Sequence, residues 1–385
     1  MPSPAALAAL ASLILPVIGL PQPFVNVMTP VMPTYSSQTK AQGDRSLAVG
    51  RFPDRLELLR PSLDNNLVSY SLTTESLSGN YTFAASDVLA TISQRWLGEF
   101  MRMYPNVTFN IHAPYAGSLG ALELVKGNLQ GVFVSRELKP TDVSGFKDAF
   151  GYDPTSVPIA GGSYRQFGFL DAISFITHKD NPIESLSFKQ LDSIFSSTRN
   201  CGGNSIGKWG DVGVNGTLAD KDINIYGITP WNGFEEFVRQ KVLSCGGKRG
   251  EWRSGEDTNT TKKDPHVTWE ETVFNVSRLV SEDPTAIGYT GLAYVDSPVK
   301  VLGVSTTDDG PVIAPTYENV ALAEWPLSRV VYFNTNTDPK TGMDPVLREL
   351  QKFVISKEGQ KLLLDQGVFL PLRKFQQDSS SKMLS

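Results

Sequence analysis

With 385 residues, 40% of them hydrophobic and 19% charged, the chain has the composition of an ordered globular protein long enough for two domains or two lobes. Its net charge of −5 offers no basic surface to nucleic acid or to an anionic membrane. Any anion site must therefore be a local device.

The N-terminus reads MPSPAALAALASLILPVIGL. Ala5 to Leu20 is apolar or small, but too short and too interrupted by Pro16 to span a bilayer. Residues 1–20 suit a secretory signal that lacks the usual Lys or Arg before its apolar run; the other reading is a buried or disordered apolar tail. Residues 21–67 contain several prolines and no clear period, which predicts an extended arm.

From Asn80 onward strands and helices alternate. YTFAA (81–85) reads as a strand, with Ser86-Asp87 as the N-cap of a helix. That helix carries Val88, Leu89, Ile92, Trp96, Leu97, Phe100, Met101 and Tyr104 on one face, and Pro105 ends it. VTFNIHA (107–113) alternates as a strand, a helix opens near Ser118, and GVFVS (131–135) is the next strand. This β-α-β-α-β order predicts a parallel sheet with right-handed crossovers. AISFITH (172–178) leads into a capping box, Ser187 with Gln190, at the start of the helix FKQLDSIF. INIYG (223–227), the helix GFEEFVRQKVL, AIGYTGLAYV, the strand RVVYFNT (329–335) and a closing helical region follow. The last residues, 374–385, have no apolar tail for a membrane anchor and are expected to be disordered.

Several motifs fail on inspection. GGNSIGKW (202–209) approaches a phosphate-binding loop, but Trp209 stands where a Ser or Thr would hold magnesium and no apolar strand precedes it. His112, His178 and His266 have no partner ligand at metal spacing. No G-x-S-x-G elbow or nucleophile–base pair is present, so neither an enzyme nor a cofactor is indicated.

Cys201 and Cys245 are the only cysteines. In an oxidising compartment they would pair and constrain the unfolded chain by ~3–4 kcal/mol; otherwise they are two free thiols. Five N-x-S/T sequons, at Asn80, Asn106, Asn215, Asn259 and Asn275, fit N-glycosylation on a eukaryotic secretory route.

Two places can meet a small anion. In AGSLGALELVKGNLQGVFVSRELK (116–139), Gly117-Ser118 open a helix, and Ser135-Arg136 end the strand that follows. This stretch resembles the periplasmic phosphate-binding proteins. So do FAASDVLATISQRWLGEFMRMYP, FLDAISFITHKDNPIESLSFKQLDSIFS, IGKWGDVG, AIGYTGLAYV, PLSRVVYF and VISKEGQKLLLDQGVFLPL, which keep the family's order from about Thr82 to Leu372.

The resemblance implies an α/β, two-lobe periplasmic-binding-protein fold of type 2, with a hinge of two crossing strands at AISFITH and RVVYF. Lobe one would comprise 68–173 and, after the return, 327–373; lobe two would be 174–326 and hold both cysteines. It implies a secreted, monomeric, non-catalytic receptor that binds phosphate or a related small oxyanion; with the sequons, this reads as a eukaryotic member, a fungal one among the candidates. Whether a membrane transporter receives the ligand is left open. The ligand-binding set carried over is Ser86, Asp87, Gly117, Ser118, Ser135 and Arg136 from lobe one, with Asn232, Gly233 and Phe234 from lobe two. Taken singly, Ser86, Asp87 and Ser118 also read as plain N-caps, and Arg136 as a surface ion pair.

The pattern departs from the family in lobe two. Many members have an arginine and then Ser-Gly-Thr at this helix start; GITPWNGFEEF puts Ile228 at the arginine's place and Asn232-Gly233-Phe234 at the triplet. Asn232 and Glu235 suggest a capping box, and Glu235 and Glu236 in the first turn are expected to repel an anion. Leu119 also replaces a small or hydroxyl residue. The site therefore reads as divergent. The alternative is a clamp fold reused for partner binding without a small ligand, its cleft partly filled by Trp231 and Phe234.

Overall fold

A computed structural model describes residues 61–111, 119–126, 129–162, 172–230, 232–255, 264–273, 275–295 and 297–384. The signal-like segment and most of the expected arm lie outside the described residues.

The first lobe begins with β1 (Gly79–Ala85), whose alternate residues Tyr81, Phe83 and Ala85 face the core. After a single 3-10 turn over Asp87–Leu89 comes α1 (Ala90–Met103), which buries Ile92, Trp96, Leu97 and Phe100. The helix thus starts later than its sequence suggests, and no side chain caps it. β2 (Val107–Ile111), β3 (Gly131–Val134), α2 (Pro140–Phe150) and β4 (Thr155–Gly161) complete the run. β1 pairs in parallel with β2 and β3, as the alternation predicts. The helix expected from Ser118 is described only as a four-residue 3-10 turn, Ala121–Leu124. Its cap, Gly120, is extended, and Ala121 and Leu124 are drawn into a small core with Leu119 and Phe146.

The second lobe contains β5 (Ile173–His178), β6 (Ser185–Ser187), α3 (Phe188–Phe195), β7 (Asn224–Ile228), α4 (Gly233–Lys241), β8 (Val267–Glu270), α5 (Val276–Glu282), β9 (Ala286–Gly291), β10 (Val299–Val301), β11 (Gly303–Ser305) and α6 (Tyr317–Ala321). The capping box of α3 forms as read: Ser187 Oγ accepts from the Gln190 amide at 3.1 Å, and Gln190 Oε1 accepts from the Ser187 amide at 2.9 Å. Cys201 and Cys245 are joined in a disulfide within this lobe. The near-miss phosphate loop is structural, since Trp209 is fully buried and its indole donates to the Thr285 carbonyl.

The chain then returns through β12 (Val330–Thr335), α7 (Pro345–Ile355), α8 (Lys357–Gln366) and α9 (Lys374–Lys382). The two main sheets are ordered β2-β1-β3-β12-β4 and β10-β5-β9-β7-β8. Each sheet has its own hydrophobic core. The architecture is the two-sheet, two-lobe α/β clamp. Its crossings pair side by side: Ala172 bridges Ser328, the Ile173 amide donates to the Leu327 carbonyl, and the buried indole of Trp325 donates to the Ile173 carbonyl at 2.9 Å.

The expected disordered tail is a helix instead. Its sequence, KFQQDSSSK, is polar, but Gln377 bonds the carbonyls of Val68 and Ile355, and Ser380 bonds that of Pro158. These long-range bonds, absent from any local pattern, hold α9 against lobe one.

Candidate functional site

Open α/β sheets place ligands beyond the carboxyl ends of their strands. At the end of β1, Ser86 is fully buried; its amide donates to the Phe133 carbonyl at 2.8 Å, which keeps the ends of β1 and β3 together. Its Oγ has no hydrogen-bond partner in the protein. The plain N-cap reading therefore fails for Ser86. Gly117, Ser118 and the side chain of Asp87 lie outside what is described.

At the end of β3, Ser135 and Arg136 are half-buried. Arg136 engages Asp142 of α2 through both terminal nitrogens, at 2.6 and 3.3 Å, and donates to the Glu137 carbonyl at 2.8 Å. Asp142 also accepts the Lys139 amide at 2.8 Å and so caps α2. The pair lies against Gly120, where any side chain would collide with it. Arg136 is thereby tied within its own lobe.

In the other lobe, β7 ends at Ile228 and Thr229 follows it. Ile228 is fully buried in the lobe-two core. Thr229 is 3% exposed, and its Oγ1 has no protein partner. Its carbonyl accepts the Asn232 amide at 3.0 Å. Asn232 Oδ1 accepts the Phe234 amide at 2.9 Å and caps α4, satisfying one donor that an anion would otherwise use. Glu235 does not close a capping box. Its Oε1 accepts from Arg239 at 3.1 Å and from the Trp252 indole at 2.6 Å.

The expected repulsion by Glu235 and Glu236 is also corrected. Arg249 holds both oxygens of Glu236, at 2.7 and 2.8 Å, and Arg239 neutralises Glu235. Burial pushes the Glu235 carboxyl up to about 7, against the opposing pull of Trp252 and Arg239. Neither residue is an uncompensated charge at the helix start.

The structure brings the start of α4 to the end of β3. A methyl group added at Gly233 would stand 3.6 Å from Arg136 Cβ and 3.8 Å from Arg329 Nη2. Gln240 of α4 donates to the Leu138 carbonyl at 2.6 Å. The Phe234 ring packs on Gly291 and near Tyr294, with the Arg329 guanidinium 4.9 Å from its centre. Trp231 lies outside the described residues.

Thr229 and Arg329 were missed in the sequence. Arg329 is 7% exposed, at the head of an otherwise apolar crossing strand, and that placement was the available signal. Its Nη2 donates to the Ser135 carbonyl at 3.2 Å and lies 3.5 Å from Glu137, which also accepts from the Tyr332 hydroxyl.

The described sequon asparagines, Asn80, Asn106, Asn215 and Asn275, are exposed; Asn259 lies outside the described residues. Among the described residues no cluster of His, Cys, Asp and Glu could hold a metal ion, and no helix is long and apolar enough to cross a membrane.

The two-sheet α/β clamp, with a buried hydroxyl past the end of β1 in one lobe and of β7 in the other, has the architecture of a binding-protein fold. The family model described as the PBP superfamily domain matches residues 72–358, and the chain belongs to that family. It is 31% identical over 313 residues to the phosphate-binding protein PstS of Pseudomonas aeruginosa, covering 81% of this chain and 88% of that protein. It is 22% identical over 295 residues to protein SphX of Synechococcus elongatus, covering 76% of this chain and 77% of that protein. Among solved structures, PstS from Borrelia burgdorferi is similar at 18% identity and a TM-score of 0.44, covering 77% of this chain and 100% of that one. An ABC-type phosphate transport receptor from Vibrio cholerae is similar at 19% identity and a TM-score of 0.43, covering 76% of this chain and 100% of that one.

Proposed function

We propose that this protein is a secreted, non-catalytic receptor that binds phosphate, or a tetrahedral oxyanion like it, between its lobes. The observation that carries the reading is Ser86: a hydroxyl buried at a strand end, without a protein partner, in a chain 31% identical to a phosphate-binding protein. Burying a hydroxyl without a hydrogen bond costs about 1–3 kcal/mol, and an oxyanion bound there would supply the acceptor. Thr229 offers the same group from lobe two. The proposed lobe-one contacts also include Asp87, Gly117, Ser118 and Ser135, with Arg136 holding the strand end in shape. Asn232, Gly233 and Phe234 would present the α4 backbone. Passage through a eukaryotic secretory route, cleavage of residues 1–20, glycosylation and a monomeric state belong to the same reading.

One observation favours a second reading. The Phe234 ring lies against Gly291 with the Arg329 guanidinium 4.9 Å from its centre, a packing that favours a clamp reused for partner binding. Calorimetric titration of phosphate into phosphate-free protein separates the two. Saturable binding at one site supports the receptor; no heat with phosphate, arsenate or sulfate supports the partner-binding form.

A further inference from the structure

A buried hydroxyl serves a ligand best when its backbone is already fixed, because every group ordered on binding subtracts from affinity. Thr229 is fixed on both sides of its own peptide. Its amide donates to the Glu270 carbonyl at 3.0 Å, and its carbonyl accepts the Asn232 amide at 3.0 Å. A third hold acts on Ile228, immediately before it. Along β7 the amides turn to alternate neighbours: that of Asn224 donates to Thr285 before β9, and that of Ile225 to His266 before β8. By that alternation Ile228 faces β9. The pairing with β8 runs to Ile228 and Glu270, but the pairing with β9 stops at Tyr226 and Gly288. Ile228 is fully buried, so its backbone groups need another partner.

The Tyr289 hydroxyl supplies it. It accepts the Ile228 amide at 3.1 Å and donates to the Ile228 carbonyl at 2.9 Å, so a single side chain completes the missing rung. The ring that carries it is fully buried and stacked on Trp252, 5.4 Å between centres with the planes 4° apart. It passes close to Gly227, where an added Cβ would lie 3.0 Å from it. Burial, and then the charge of Glu235, raise the phenol well above its ordinary 10, so the hydroxyl keeps its proton and can donate as well as accept. Thr229 is β-branched and has few χ1 wells open to it, so the backbone decides where its Oγ1 points.

Resting on the oxyanion reading above, we propose that Tyr289 is a positioning residue of the lobe-two half-site: by completing the rung at Ile228 it sets the Thr229 hydroxyl in place before the anion arrives. It touches no anion itself, since it has no exposed surface.

The test is a double-mutant cycle on wild type, Tyr289→Phe, Thr229→Val and the pair, read by phosphate calorimetry and by melting temperature. Tyr289→Phe keeps the ring and removes the hydroxyl. It should weaken phosphate binding about tenfold, a change of about 1.4 kcal/mol, and lower the melting temperature. In the Thr229→Val background the melting temperature should fall again, whereas affinity should change less than about twofold, because the group that Tyr289 places is gone. Equal affinity losses in both backgrounds, tracking the melting temperature, would mark a purely structural residue and overturn the proposal. So would a Tyr289→Phe protein that binds phosphate as wild type does, which leaves the receptor reading intact, or a Thr229→Val protein that does so. If wild type itself binds no phosphate, the receptor reading and the proposal fall together. Should Tyr289→Phe fail to fold, amide hydrogen exchange of wild type decides. The Ile228 amide should be as protected without phosphate as with it; protection that appears only with phosphate would overturn the proposal.

Discussion

Arg136 and Asp142 form a two-pronged ion pair inside lobe one, with side chains 15% and 4% exposed. Asp142 simultaneously caps α2 through the Lys139 amide, so the pair fixes the start of that helix relative to the end of β3. Removing one partner of such a pair leaves the other charge buried and costs about 3–5 kcal/mol. Arg136→Met should therefore lower unfolding free energy in denaturant melts by about 3 kcal/mol, while phosphate affinity of the folded fraction changes less than about threefold. A large loss of affinity with unchanged stability would reverse that assignment and make Arg136 the anion's partner.

Ile228 stands where a resemblance-based repair would place an arginine. It is fully buried among the lobe-two core residues, and its backbone is tied to the Tyr289 hydroxyl on both sides. Ile228→Arg should cost about 3 kcal/mol or more and should not tighten anion binding, alone or with Asn232→Ser and Phe234→Thr. Tighter phosphate binding by the triple variant, at wild-type melting temperature, would show that the strand end can open toward the cleft.

Glu235 gives a pH signature. Its carboxyl is raised from the ordinary 4.5 to about 7, first by burial. A raised folded-state pKa means the protonated acid is favoured on folding. That stabilisation is complete below the unfolded value and disappears as pH rises through about 7, a swing on the order of 3 kcal/mol. Glu235→Gln keeps an acceptor for the Trp252 indole and removes the titration. Between about pH 4.5 and 7 its stability should fall less steeply than that of wild type in denaturant melts at stepped pH. Parallel curves for the two proteins would mean that Arg239 holds Glu235 ionised throughout.

Much of the fold could be read locally. The alternation in β1 and the apolar face of α1 are short-range patterns, and Ser187 with Gln190 forms a complete capping box within four residues. What escaped depends on distant contacts. No local pattern makes KFQQDSSSK a packed helix; its partners Val68, Pro158 and Ile355 are far away in sequence. The site was legible in part. Ser86 could be nominated from the strand end it follows, whereas the neutralisation of Glu236 by Arg249 and the approach of Arg329 to Gly233 exist only after folding.

The two buried hydroxyls offer the sharpest test of the cleft. Ser86 ends β1 in lobe one and Thr229 follows β7 in lobe two; neither Oγ meets a protein acceptor or donor. If one anion bridges them, each contributes a bond to a charged group worth about 1.5–3 kcal/mol. Ser86→Ala and Thr229→Val should then each weaken phosphate binding about tenfold to a hundredfold. Stability without phosphate should hold or rise slightly, because each change removes a buried polar group that has no partner. In the double variant a cycle should show coupling: once one lobe has lost its contact, closure gains less and the second change costs less than it does alone. Measured Kd values that stay at wild type for both single variants would remove these hydroxyls from the site and with them the observation on which the receptor reading rests.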